Sequence, residues 1–179
     1  MKKYRWIIIS LLILISIVFL IKKCQKKVNH FTFPNTLIVQ NNTSYERADT
    51  ISMVILNRIF LVDTVKIYIY YMTNNRMDSK DVEVQAFIKR FSYEPHTYII
   101  YLRKPPIDLT IERILSHELI HLKQMNDGEL IELNDSINIY KGDTINLYRI
   151  KYEDRLYEKY AYKNEVEVRK KLDNLLYSK

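Results

Sequence analysis

The sequence predicts an α+β fold, one small antiparallel or mixed sheet packed on helices, carried behind an N-terminal transmembrane helix. Three observations lead there. An unbroken apolar run extends from Trp6 to Ile21. Short runs rich in Ile, Val and Tyr cluster between Thr36 and Arg103. Helical spacing of apolar residues returns in Asp108–Met125 and again in Glu153–Leu176. The order helix, strands, helix, hairpin, helix is that of an α+β domain with one small sheet packed on helices.

The apolar run comes first. Trp6 to Ile21 carries no charge; at about 1.5 Å per residue it makes roughly 24 Å of helix, slightly short of a hydrocarbon core near 30 Å. Tyr4 and Trp6 can sit at one interface, and Lys22 and Lys23 can snorkel toward the other. A cleavable secretory signal would end in small residues; here the run ends Ile21-Lys22-Lys23-Cys24, which fits neither that site nor a lipoprotein cysteine. An uncleaved anchor is therefore expected over residues 1–27, with a processed signal as the other reading. Basic residues on the two sides nearly balance, so orientation is weakly specified. Since single N-terminal anchors usually export the domain behind them, a periplasmic or extracellular location is expected.

Charge obeys the same division. The net charge is +7, and Lys2, Lys3, Arg5, Lys22, Lys23, Lys26 and Lys27 account for it, with no acidic residue before Glu46. The excess marks a membrane flank; outside it there is neither a basic face nor a recognition motif for nucleic acid. With one cysteine, Cys24, no intramolecular disulfide can form. Of 179 residues, 47% are apolar, enough for one core beyond the anchor.

Residues 28–35 read as a polar tether and 36–179 as the folded domain. Thr36–Gln40 is a short strand. Ser44–Leu61 has apolar residues at helical spacing, with Ser44 placed to cap it. Val65–Met72 alternates as a strand. Glu83–Phe91 and Thr97–Arg103 are two more, joined through Ser92-Tyr93-Glu94-Pro95-His96 as a hairpin loop. Asp108 can cap the next helix, which ends at Asn126-Asp127-Gly128. Glu129–Ile150 reads as a β-hairpin, and Glu153–Leu176 as the last helix.

The Asp108–Met125 helix holds His117-Glu118-Leu119-Ile120-His121. Residues four apart lie one above the other on a helix, so both imidazoles can point at one cation. Two such histidines followed by a carboxylate are the pattern of a tetrahedral zinc site, with Glu118 as general base on a metal-activated water. Ile111, Ile114, Leu115, Leu119 and Leu122 form the stripe that anchors the helix. His-Glu-x-x-His would arise in on the order of one in 200 shuffled chains of this composition. The chain has four histidines, none after His121. A third ligand must then be a downstream carboxylate: Glu153, Asp154, Glu158, Glu165 and Glu167 are the candidates on the last helix. His30 and His96 lack ligand spacing.

Tyr157-Glu158-Lys159-Tyr160-Ala161 resembles the aromatic-Glu-x-Glu-Ala signature of the glutamate-zincins, metallopeptidases with a His-Glu-x-x-His helix and a glutamate ligand on a later one. Ile139-Tyr140-Lys141-Gly142 is similar to a hairpin of small bacterial and phage-type peptidases of this kind. The resemblance covers Ile114 to Asn164, and Tyr160 departs from it where a second Glu is common. It implies a zincin-like domain with Zn2+ on His117, His121 and Glu158, Glu118 as catalytic base, and a protein or peptide substrate. Tyr157, Tyr160, Tyr162, Arg155 and His96 remain open as oxyanion donors. Glu83–Phe91 or Thr97–Arg103 could supply an edge strand for an extended peptide. The competing expectation is a non-enzymatic, membrane-tethered binding module with a structural or degenerate metal site.

Overall fold

Strand-forming residues with alternating burial build the first half of the domain. The computed structural model describes residues 36–73, 84–104 and 110–178. The expected anchor and tether, His30 and the Asp108 cap lie outside them. Among the described residues no helix is long and apolar enough to cross a membrane.

Strands β1 (Ile38–Asn41), β2 (Lys66–Tyr71), β3 (Ala86–Arg90) and β4 (Thr97–Leu102) form one sheet in the order β1-β2-β4-β3. β1, β2 and β4 are parallel; β3 is antiparallel to β4 and forms an edge. The sheet is therefore mixed, within the α+β class expected. Ile67, Ile69, Ile88, Tyr98, Ile100 and Leu102 point to one face and are buried. Tyr68, Ile99, Tyr101 and Phe87 occupy the other, with Phe87 and Tyr101 stacked at 4.8 Å.

Helix α1 (Ala48–Val54) crosses from β1 to β2 and runs directly into a π-helical turn, Ile55–Ile59. Ser44 does not cap it. The N-cap is Arg47, at φ 68 with no side-chain cap. Tyr71 of β2 takes both the Ser44 hydroxyl and its N–H, which holds the preceding residues in a turn.

Helix α2 (Ile111–Asn126) starts at Thr110, whose side chain accepts from the Arg113 N–H. Leu115, Leu119 and Leu122 are fully buried; removing each from water is worth about 1.5–3 kcal/mol. That stripe turns α2 so that His117 and His121 face the last helix. Gly128, at φ 74, ends the helix in the left-handed conformation expected of it.

Glu129–Ile150 is not a simple hairpin. It is a three-stranded antiparallel meander, β5 (Leu130–Asn134), β6 (Ile137–Tyr140) and β7 (Asp143–Asn146). Lys141-Gly142 makes a second turn, with both residues at positive φ. A 3₁₀ turn, Tyr152–Asp154, comes next, and extended Arg155 separates it from helix α3 (Leu156–Tyr177). Val168, Leu172 and Leu176 fix the distal part of α3 in the common core.

Candidate metal centre

Two helices meet at the site. α2 presents His117, Glu118 and His121, all buried, and the first turn of α3 presents buried Glu158. Glu158 Oε2 stands 3.2 Å from His117 Nε2 and 3.2 Å from His121 Nε2, and the two Nε2 atoms are 3.1 Å apart. These three residues form a buried group that could hold a metal ion.

The other candidate carboxylates go elsewhere. Glu153 and Asp154 lie exposed in the 3₁₀ turn, with Asp154 paired to Lys159 at 3.1 Å. Glu167 is exposed and bound to Lys171 at 2.8 Å. Glu165, two turns beyond Glu158, faces the far nitrogen of His117. Its Oε2 lies 3.2 Å from His117 Nδ1, and its Oε1 accepts from Arg113 Nε at 2.9 Å. His121 is held in the same way, Nδ1 against Gln124 Oε1 at 2.9 Å, while Gln124 Nε2 donates to the Tyr157 carbonyl at 3.4 Å.

These partners set the tautomers. Glu165 and the Gln124 carbonyl oxygen can only accept, so each Nδ1 carries the hydrogen. Neutral rings then turn both Nε2 lone pairs toward Glu158 Oε2. Three acceptors packed within 3.2 Å repel one another unless a cation, or a proton, stands between them. Burial alone would strip His117 of its proton; hydrogen bonds to Glu158 and Glu165 outweigh burial and raise its pKa to about 10. Burial would raise Glu158, yet the charge of His121 and hydrogen bonds from both rings bring it down to about 2. Glu165 is lowered, its own burial outweighed by His117 and Arg113.

Glu118 sits beside this group without joining it. Burial raises its proton affinity against the pull of His117 and His121, and it accepts a hydrogen bond from the Ile88 N–H. The register explains that contact. Arg103 N–H donates to Gln85 O and Phe91 N–H to Thr97 O, so the odd residues of β3 bond to β4. Ala86, Ile88 and Arg90 turn their backbone groups outward, toward α2. Of the two expected edge strands, β4 is interior; β3 alone has a free edge.

The residues left open as oxyanion donors stand at different places around the group. Tyr157 OH accepts from Asn138 and its ring packs against His121 at 5.7 Å. Tyr162 lays its ring against His117 at 4.6 Å. Tyr160 is exposed beneath Lys141 Nζ, Arg155 donates to the Leu147 carbonyl, and His96 pairs with Asn126. Tyr152, in the 3₁₀ turn, reaches the centre as well, and its hydroxyl is hydrogen-bonded with that of Tyr162. Burial first, then the charges of Glu158 and Glu118, hold its hydroxyl protonated, and it bonds to Glu158. Its only trace in the sequence was its place six residues before Glu158.

Comparison of the chain with protein families, with curated proteins and with solved structures gives no match.

Proposed function

We propose that the chain is a membrane-anchored zinc metallopeptidase of glutamate-zincin type, hydrolysing peptide bonds with Glu118 as general base. One observation carries this reading: two imidazole nitrogens and a carboxylate oxygen lie within 3.2 Å of one another, with Glu118 alongside and outside the group. Ligand atoms of a tetrahedral zinc at about 2.0–2.1 Å stand roughly 3.3–3.4 Å apart, close to the spacing here. Two imidazoles and one carboxylate suit zinc and suit calcium or magnesium poorly. A closed structural site has four protein ligands; three converge among the described residues, which favours an open position over the binding-module reading.

His117, His121 and Glu158 would hold the zinc, which would supply an acidified water and polarise the scissile carbonyl. The remaining roles fall to the chain. Glu118, buried and raised in proton affinity, takes the proton of the attacking water and delivers it to the leaving amine. Ile88 N–H fixes that carboxylate, and the outward backbone groups of β3 beside it suit an extended substrate pairing as an added strand. Tyr152, protonated and near both Glu158 and Glu118, is the donor best placed for the developing oxyanion. Glu165 and Gln124 keep the two rings turned inward.

Glu118→Gln tests the assignment. The variant is expected to bind one metal per chain and lose hydrolysis of a fluorogenic peptide library. Full activity in it excludes Glu118 as the base; a wild-type chain with no stoichiometric metal excludes the class.

A further inference from the structure

The direction of the strands tells which end of the domain meets the N-terminal segment. β1, β2 and β4 are parallel, so Ile38, Lys66 and Thr97 lie side by side at one end of the sheet. Thr36 Oγ1 donates to the Asp63 carbonyl at 2.6 Å, which brings the loop before β2 to the same end. β3 finishes there too, with Phe91 N–H on the Thr97 carbonyl, next to the turn into β4.

The side chains at this end are out of place in water. Tyr93 is 87% exposed and Leu61 81%, and Ile38 and Phe91 are also exposed. Tyr93 and Phe91 meet edge-on at 5.7 Å, so they form one surface. Leu61 stands at φ 57, a strained conformation for a branched side chain, at a turn tip where glycine or asparagine would fit and hydrate better. Tyr148, Leu133 and Leu156 are exposed elsewhere on the domain; on the strands of this sheet, among the described residues, the other exposed large apolar side chain is Tyr70 of β2.

The length of chain before Thr36 names the occupant. Between the basic flank ending at Lys27 and Thr36 lie residues 28–35; fully extended they reach at most about 28 Å. A bilayer holding Trp6–Ile21 is therefore the one large surface this end cannot move away from. Lys66–Glu94, Arg90 and Asp63 around the patch mix both signs, so its contact rests on apolar insertion rather than on charge.

We propose that this end of the domain docks on the lipid surface, with Leu61, Tyr93, Phe91 and Ile38 entering the headgroup region. The inference rests on reading Trp6–Ile21 as an anchor and is independent of the peptidase chemistry. It has a consequence for that chemistry. His96 bonds to Asn126 at this end, so α2 ends here, and His121 lies only about 8 Å of helix rise above it. Substrates would be extended segments held close to the membrane surface.

The test uses the full chain reconstituted in phosphatidylcholine vesicles. Trp6, the only tryptophan, is changed to Phe, and a reporter is introduced as Tyr93→Trp, Leu61→Trp or, at the far end, Thr73→Trp. Bromine-labelled lipid should quench the first two reporters severalfold more than the third, and aqueous iodide should do the reverse. Addition of anionic lipid should change little. Equal iodide access at all three positions overturns the proposal, and so does quenching confined to Thr73→Trp. A chain that fails to float with the vesicles overturns both the docking and the anchor. Metal content of the same samples reports separately on the zinc reading.

Discussion

Raising the pH from 6 to 8 while measuring zinc affinity probes the crowded Nε2–Oε2 group directly. In the metal-free protein a proton on His117 holds the group together, with a pKa of about 10. Metal binds only the deprotonated ring, so proton and metal compete. Well below that pKa the apparent affinity rises tenfold per pH unit for each proton displaced. The interval should therefore give about a hundredfold gain, or about 2.7 kcal/mol. A histidine titrating at its ordinary value near 6.5 would give only about fourfold over the same range. Competition against a chromogenic chelator reads the affinity. Calorimetry in buffers of different ionisation enthalpy counts the protons, with about one released per metal expected at pH 7. A gain under tenfold, or no proton released, would refute the reasoning. The same groups set the stability of the metal-free fold. His117 is raised, so its contribution is complete below about 6.5 and fades as pH climbs through about 10. Glu158 is depressed, so the same ion pair is complete above about 4.5 and is lost as pH falls toward about 2. The metal-free protein should thus weaken with rising pH above neutrality, while the zinc-loaded protein should gain.

Three further outcomes rest on particular contacts. Glu165→Gln leaves His117 Nδ1 facing a neutral amide and should lower zinc affinity about 10–100-fold, read by the same chelator competition; an unchanged affinity removes Glu165 from the site. Tyr152→Phe should keep the metal and reduce kcat about 10²–10³-fold with KM little changed; a pure KM effect would assign the hydroxyl to substrate binding instead. Thr110→Ala removes the side-chain acceptor at the start of α2 and should cost about 1 kcal/mol in chemical denaturation without altering metal stoichiometry.

Local patterns in the sequence reached some of this and not the rest. Four-residue spacing places His117 and His121 on one face whatever surrounds the helix, and the Leu115, Leu119 and Leu122 stripe decides which way that face turns. Glu158 was legible as a carboxylate from the last helix, and the aromatic-Glu motif singled it out among five. Glu165 and Gln124 were not legible as partners of the rings. Their roles depend on how far α3 slides along α2, a tertiary quantity with no local signature. Tyr152 was hidden because the helix was expected to begin at Glu153; extended Arg155 instead breaks the chain and swings the preceding turn over the site. The start of α1 failed for a similar reason, since a tyrosine on the neighbouring strand claims Ser44. At Lys141-Gly142 the turn residues were plain, but a hairpin reading left no room for a third strand.

His121 and Glu158 belong to one buried group, and everything between them in the chain is one excursion containing the whole meander. A cation gripping both points would act as a clasp on that loop, in addition to the apolar contacts that hold the distal half of α3. Chelation should then loosen a single continuous piece, from Asp127 through the 3₁₀ turn to the first turns of α3, and leave the four-stranded sheet intact. Limited digestion would register this as new cuts between β7 and Arg155, with the fragment carrying β1 to β4 as resistant as before.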